Sequence, residues 1–278
     1  MTRTSKILTA VVSTLLLVIV VAIVIIATFD WNRLKPTINE KVSTELNRPF
    51  AIRGDLGVNW ARQKEEAGWR SWIPWPHIHA EDIILGNPPG IDEITMVHLP
   101  RVDATISPLA LFTKTVYLPW IKLQQPDARL IRRSEKLNNW TFTLAADENA
   151  NAKPSSWSFR LDNILFDKGR IVIDDAVSRA DMTIQVDPLG KPLPFSEVTG
   201  KKDDNNKAGD YVFGLKAKGR YNDQPLSGEG KIGGMLSLRS ETTPFPVQAD
   251  FRSGNTRVAF VGTVKDPMNM GGVDLKLK

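Results

Sequence analysis

The sequence contains no cysteine. Disulfides, thiolate metal sites and cysteine nucleophiles are excluded, so the core must hold without cross-links. Histidine is scarce, with three residues in 278, which leaves a metal centre few ligands to draw on. No dense block of one charge is present: 36 Lys and Arg against 31 Asp and Glu leave +5, spread along the chain. That spread argues against nucleic acid as a partner, and an anionic membrane surface suits a mild basic excess equally well. After residue 47 the sequence carries no long helical stripe.

What it does have is one long apolar run. Ile7 to Phe29 reads ILTAVVSTLLLVIVVAIVIIATF, without a charge or a proline. As a helix it reaches about 34 Å, and a bilayer core needs roughly 30 Å. A helix satisfies its own backbone where water is absent. A cleaved signal peptide competes, with Arg3 and Lys6 as its basic start. Its apolar core, however, runs about 7 to 15 residues and ends at a small-x-small site, and Ala27-Thr28-Phe29-Asp30-Trp31 makes a poor one. Arg3, Lys6 and the α-amino group precede the run, while Arg33 and Lys35 follow it. The balance tips toward a cytoplasmic N-terminus. The expected division is a cytoplasmic tail at 1–6, a transmembrane anchor at 7–29, a juxtamembrane helical segment at 30–47 and a β-rich domain at 48–278. In a Gram-negative host that domain is periplasmic.

Leu34, Ile38, Val42 and Leu46 recur every four residues, which predicts a short helix with Pro36 in its first turn. It either packs on the start of the soluble domain or lies along the membrane surface. From Phe50 the period becomes two. Phe50, Ile52, Leu56 and Val58 suggest a strand pair bent at Gly54 or Gly57. Ile78, Ala80, Ile83 and Leu85 form the next set, and Asn87-Pro88-Pro89-Gly90 is a turn. Val102, Ala104 and Ile106 alternate with polar residues, and 108–112 suggests one helical turn. Later sets include Ile171 and Ile173, then Ala180 to Val186, Tyr211 to Ala217, and Phe245 to Phe260. Residues 147–156 and 201–209 read as polar loops. Short alternating runs separated by turn clusters predict a mainly β body, an elongated antiparallel sheet of repeated strand-turn-strand elements. A tryptophan cluster at 60, 69, 72 and 75 interrupts the pattern. Trp31, Trp69, Trp72 and Trp75 are membrane-interface candidates, since tryptophan favours that layer. A structural role in a capping element is the equal alternative.

Chemical motifs are weak. His77 and His79 share a strand face as a metal pair would, but three or four ligands are needed, and neither a metal nor a cofactor is expected. Gly228, Gly230 and Gly233 match G-x-G-x-x-G without the strand–helix context that gives it meaning, so they read as strand bends or bulges. Asp174-Asp175 and Asp203-Asp204 are adjacent pairs, and adjacent strand residues point to opposite faces. No catalytic residue emerges. Arg129, Arg132, Arg133 and Lys136 are the densest basic group, a solvated face or a contact for lipid phosphates.

Three stretches carry a family resemblance. The apolar run followed by Asn47-Arg48-Pro49-Phe50-Ala51-Ile52-Arg53-Gly54-Asp55-Leu56 is one. Trp157 to Asp162, leading to Asp167-Lys168-Gly169-Arg170-Ile171-Val172-Ile173-Asp174-Asp175, is the second. The run from Pro244 through Gly254-Asn255-Thr256-Arg257-Val258-Ala259-Phe260 to Pro267 is the third. In this order they resemble the AsmA-like family of bacterial envelope proteins. The resemblance implies a single-pass inner-membrane protein with a periplasmic β-rich AsmA-like body and no catalytic residues. It also implies a part in outer-membrane assembly, envelope homeostasis and protein targeting to the membrane, with phospholipid moved along an apolar β-groove. Members commonly continue through further β-repeats, so this reads as an N-terminal portion truncated at its C-terminus. A groove needs one apolar face, and Ala180, Met182, Ile184, Val186, Phe213, Leu215 and Val247 are its lipid-facing candidates. Membrane lipid, chiefly phospholipid, and other envelope proteins are the expected partners. A scaffold binding other envelope proteins remains the alternative, and an anchored periplasmic hydrolase a more distant one.

Overall fold

The computed structural model describes residues 13, 14, 17, 21, 28–62, 74–93, 95–142, 158–194, 209–237, 244–266 and 271–277. Residues 13, 14, 17, 21 and 28 are helical and exposed. Most of the 7–29 run lies outside the described residues, among which no helix is long and apolar enough to cross a membrane.

A 3₁₀ turn, Trp31–Leu34, opens on Asp30, whose carboxylate accepts from the Asn32 amide at 3.1 Å. Helix α1, Lys35–Leu46, follows with Pro36 in its first turn, where a missing N–H costs nothing. It stops at Asn47, held left-handed at φ 50°, a conformation asparagine tolerates. Of the predicted stripe, Ile38, Val42 and Leu46 are half-buried. Ile38 packs with Trp31 onto a core of Ile52, Leu56, Ala80 and Ile83, where each larger aliphatic side chain contributes about 2 kcal/mol. Polar side chains fasten the helix along the sheet. Asn39 Oδ1 accepts from the Ile52 amide at 2.9 Å, Ser43 Oγ from the Phe50 amide at 2.9 Å, and Lys35 Nζ donates to the Gly54 carbonyl at 2.9 Å. The helix therefore packs on the domain, one of the two placements the sequence left open.

Sixteen described strands make one sheet. β1 (Phe50–Ile52) and β2 (Leu56–Arg62) are two halves of one edge strand, both antiparallel to β3 (Pro74–Gly86). The predicted bend falls at Gly54, whose amide bonds the Glu81 carbonyl at 3.0 Å. β4 (Thr95–Thr105) follows on β3. The short helix α2 (Pro108–Leu111) appears at the expected turn. β5 (Thr115–Gln124) and β6 (Asp127–Ser134) then run in sequence along β4, like one strand interrupted at Gln125-Pro126. The two-residue β7 (Leu137–Asn138) folds back on β6. β8 (Ser158–Phe166) and β9 (Gly169–Asp175) continue beside β5 and β6.

Beyond β9 come β10 (Ala180–Leu193), β11 (Tyr211–Tyr221), β12 (Gln224–Gly233), β14 (Phe245–Ser253), β15 (Thr256–Asp266) and β16 (Gly271–Leu277), each antiparallel to its neighbour. At Gly234 the chain leaves β12, and β13 (Met235–Ser237) pairs with the other edge of β8. Counting the interrupted strands once, the path β1/β2 to β16 has ten strand spacings, about 48 Å along its width. The mainly β expectation holds, with one correction: the sheet is mixed, because β5–β8 and β6–β9 are parallel. The reason is the link from β6 to β8, long enough to carry the chain back to the end where β5 began, as a parallel pairing requires. The loop expected at 147–156, and all but Gly209 of the one expected at 201–209, lie outside the described residues.

A second, smaller core sits on the other side of the sheet. Ile91, Met96 and Ile131 are buried there with Asn87 and Asn139. Asn139 accepts from the Ile131 amide at 2.8 Å and donates to the Arg129 carbonyl at 2.7 Å and to Asn87 Oδ1 at 2.8 Å.

Candidate functional site

Residues opposite one another in neighbouring strands share a face, so the register gives the composition of each side. Ile171 and Ile173 of β9 lie beside Ile184 and Met182 of β10. Ile184 and Val186 lie beside Ala217 and Leu215 of β11, and these beside Gly228 and Gly230 of β12. Phe251 and Ala249 of β14 come next, then Val258 and Phe260 of β15, then Leu277 of β16, with Leu275 beside Gly262. In the other direction Ala128 and Leu130 of β6 lead to Val97 of β4, Leu85 of β3 and Phe50 of β1. One apolar face thus runs from β1 to β16. The reverse side of β10–β15 carries Thr183, Gln185, Lys216, Lys218, Glu229, Asp250 and Arg257. There Arg257 Nε donates to Asp250 at 3.0 Å and holds that carboxyl below the usual range.

Ala180, Met182, Ile184, Val186, Phe213, Leu215 and Val247 all lie on the apolar face. They are not equally accessible. Phe213 is 4% exposed and stacks on Phe166 at 4.8 Å between ring centres, near where β13 folds back. Tyr211 beside it is fully buried, and burial pushes its hydroxyl up to about 12. This corner is filled by protein. Ala180, Met182 and Val186 are buried as well, and Ile184, Leu215 and Val247 are half-buried. Trp31 and Ile38 pack on the face over the β1–β4 core, whereas at the other edge Val258, Val273, Leu275 and Leu277 are exposed.

Charged clusters stand on the same face at both ends of the strands. At one, Arg132 lies opposite Asp175. Asp175 accepts from Arg132 Nε at 2.7 Å, from Arg132 Nη2, and from the amides of Val177 at 3.0 Å and Ser178 at 3.3 Å. Arg132 first, then these donors, hold its carboxyl well below the usual range. The Trp140 ring lies 5.9 Å from the guanidinium. At the other end, Tyr117 donates to Asp162 at 2.7 Å and Arg160 Nε donates to it at 3.1 Å, with the guanidinium 4.2 Å from the Tyr117 ring centre. Both carboxylates are engaged by arginine. The arrangement offers an apolar bed between two polar ends, with no spare acid–base pair in either cluster.

The other singled-out residues fall as follows. Asp174 and Asp175 point to opposite faces, as adjacency demands: Arg133 reaches Asp174 at 2.9 Å and also pairs with Glu93. The Arg129–Arg133 group is thus split between faces rather than forming one basic patch. His77 and His79 share the outer face of β3. His79 Nε2 lies 3.2 Å from Asp55, His77 Nδ1 lies 3.3 Å from Thr105 Oγ1, and His98 Nε2 lies 2.9 Å from Asp82. Among the described residues no group of three or more His, Asp or Glu is placed to hold a metal ion. Of the three glycines expected at bends or bulges, Gly233 lies where the β11–β12 register shifts, opposite Tyr211, whereas Gly228 and Gly230 sit in regular register between β11 and β14. A Cβ at Gly228 would meet Phe251 Cδ1 at 2.4 Å, so the glycine leaves room for that ring. Of the four interface candidates, Trp69 and Trp72 lie outside the described residues, Trp75 is 5% exposed, and Trp31 packs on the core.

Arg48 escaped the sequence reading. It is 5% exposed. It donates to the carbonyls of Asn139 and, at 2.6 Å, Thr141, touches Met96 Sδ at 3.1 Å, and lies 4.0 Å from the Phe142 ring centre. Burial lowers its pKa. The only signal was its place in the Asn47-Arg48-Pro49 run, since periodicity does not mark a buried cation.

A family model described as the AsmA family matches residues 1–278. The chain is 76% identical over 282 residues to the AsmA family protein YhjG of Escherichia coli (strain K12). That alignment covers 100% of this chain and 41% of the relative, so the chain spans about two-fifths of the relative's length. No solved structure matches.

Proposed function

The chain belongs to the AsmA family, and from that membership we propose a non-enzymatic envelope protein that handles phospholipid along its apolar face. In this reading residues 7–29 anchor it once in the bacterial inner membrane, 1–6 stay in the cytoplasm, and the β-rich body stands in the periplasm. Its task is outer-membrane assembly and envelope homeostasis, with an influence on protein targeting to the membrane.

One observation carries the lipid reading. The apolar face continues across the described strands, yet what packs over it from the N-terminal segment is Trp31 and Ile38 at the β1–β4 core, and Ile184, Leu215 and Phe260 farther along are only half-buried. Water on such a surface costs free energy, and acyl chains relieve it at about 0.8 kcal/mol per CH₂. The test is a photo-crosslinking amino acid at Ile184 or at Gln185 of the full chain in cells. Capture of phospholipid at Ile184 and not at Gln185 is the expected result. Equal capture at both means surface contact only.

A scaffold is the second reading. The half-buried apolar residues Ile184 and Leu215 suit a protein partner as well as a lipid. Capture of protein and no lipid at Ile184 favours it.

A further inference from the structure

At one end of the sheet β2 and β4 finish while β3, β5 and β8 begin. Helix α2 caps this end. Phe112, directly after it, is 86% exposed, and Leu111 is 39% exposed. Phe159, at the start of β8, is 67% exposed. The Ser158 amide donates to the Lys114 carbonyl at 2.9 Å, and the hydroxyls of Thr115 and Ser158 lie 2.9 Å apart. The α2 turn and the start of β8 therefore form one tip. Trp60, near the end of β2, adds a 43% exposed indole at the same end of the sheet.

The described residues of the tip itself carry basic charge, and Asp162, two residues along β8 from Arg160, is paired with that arginine. The described stretches 58–62, 74–80, 104–122 and 158–160 contain no Asp or Glu, and their charged residues are Arg62, Lys114, Lys122 and Arg160. Lys114 is exposed beside Phe112. The path of the chain leads to the same end. Helix α1 begins near Leu56, whose amide donates to Asn32 at 3.0 Å, and ends near Phe50, whose amide donates to Ser43. Its N-terminal end thus lies toward the end of the sheet where β2 finishes.

We propose that this tip docks on the anionic phospholipid surface of the membrane that holds the apolar run. Phe112, Leu111 and Phe159 enter the interfacial layer, where aromatic rings are favoured, and Lys114 faces lipid phosphates. The docked end is the one that carries the Tyr117–Arg160–Asp162 cluster, which brings that polar margin of the apolar face close to headgroups. The inference rests on the anchor reading.

The absence of cysteine makes the test direct. Phe112→Cys, or Phe159→Cys with Phe112 intact, gives a single labelling site for an environment-sensitive fluorophore. The full chain is reconstituted into vesicles of phosphatidylethanolamine and phosphatidylglycerol carrying a headgroup-region nitroxide quencher. At both tip sites the emission should shift to the blue and be quenched. At Tyr221→Cys, 54% exposed on the hairpin at the opposite strand ends, it should do neither. Lys114→Gln should lower the ratio of docked to undocked tip about fivefold. Water-like emission at the tip, or equal quenching at Tyr221, overturns the proposal. So does a blue shift without lipid quenching, which would mean that protein covers the tip. A chain that never partitions into the vesicles fails the anchor reading as well, whereas one that floats with them and leaves the tip unquenched overturns docking alone.

Discussion

Replacing Ile184 by aspartate puts a charge where an acyl chain should lie. Ile184 sits between Ile171 and Ala217 on the apolar face, and Gln185 next to it belongs to the reverse side. An acyl chain of about 15 methylenes taken fully out of water gains roughly 12 kcal/mol. Laid on an open face it keeps about half its surface wet, which leaves roughly 6 kcal/mol. An ionised carboxylate stripped of water costs several kcal/mol, so the chain will avoid it and give up the neighbouring contacts. Losing about five methylenes, half-wetted, removes roughly 2 kcal/mol, or about thirtyfold in occupancy. The assay is phospholipid per mole of full chain after purification in mild detergent, for wild type, Ile184→Asp, Ile184→Leu and Gln185→Asp. Circular dichroism establishes that each variant is folded. Ile184→Leu and Gln185→Asp should retain lipid while Ile184→Asp loses nearly all of it. A folded Ile184→Asp with wild-type lipid content would refute the reasoning, because no apolar bed tolerates that charge.

Two further expectations concern the polar clusters. Asp175→Asn leaves Arg132 without its carboxylate and should cost about 3 kcal/mol, lowering Tm by about 6–12 °C. Because the Asp175 pKa is depressed in the folded state, its stabilisation is complete above about pH 5 and is lost progressively as pH falls below the unfolded value near 4. Melts between pH 7 and pH 3 should therefore fall more steeply for wild type than for the variant, and parallel acid limbs would count against the ion pair. Arg48→Met keeps the length and removes the donors, leaving the Asn139 and Thr141 carbonyls unbonded. It should cost about 2–3 kcal/mol, read from urea unfolding, and speed amide exchange at Ile131, with Arg48→Lys between the two because an ammonium cannot hold both carbonyls in the same planar fork.

Much of the sheet was legible because strand alternation is a local property. Ala180, Met182, Ile184 and Val186 were placed on one face by parity alone, and the register with β9 and β11 keeps them there. The turn at Asn87–Gly90 and the helix from Lys35 followed from proline, glycine and a four-residue stripe. What parity cannot give is the partner. The parallel run of β8 and β9 beside β5 and β6 depends on a crossover whose length permits either sense. The fold-back of β13 onto β8 depends on a three-residue segment too short to carry a pattern. Those two choices decide that Phe213 meets Phe166, so a residue assigned to the cargo face from its parity is packed by the protein itself. Arg48 was illegible for a different reason: composition rules place arginine outside, and only the carbonyls of 139 and 141, about ninety residues away, make its burial tolerable.

The glycines of β12 and β15 gain a meaning from the face they occupy. On the apolar side of β11–β15 the middle rows read Ala217 and Gly228, then Gly230 and Ala249, with Gly262 beside Val247. Under α1 the core residues are Ile52, Leu56, Ala80 and Ile83. A sandwich core fills its middle with large side chains because empty space forfeits dispersion contacts. Here the small residues of the central strands alternate with Leu215, Phe251 and Phe260. At Gly228 the space is taken by Phe251, but at Gly230 the atoms nearest to a Cβ are backbone atoms of β14, so that row is floored by main chain. Glycine weakens a strand by roughly 0.5–1 kcal/mol, and here close approach of neighbouring main chain requires it: a Cβ at Gly230 would meet the Gln248 carbonyl at 2.5 Å, and one at Gly262 would collide with the Asp274 carbonyl. The register sets Ala217, Gly230, Ala249 and Gly262 among Ile184, Leu215, Phe260 and Leu275 on one face, and it is along this strip of small residues that the phospholipid reading lays an acyl chain.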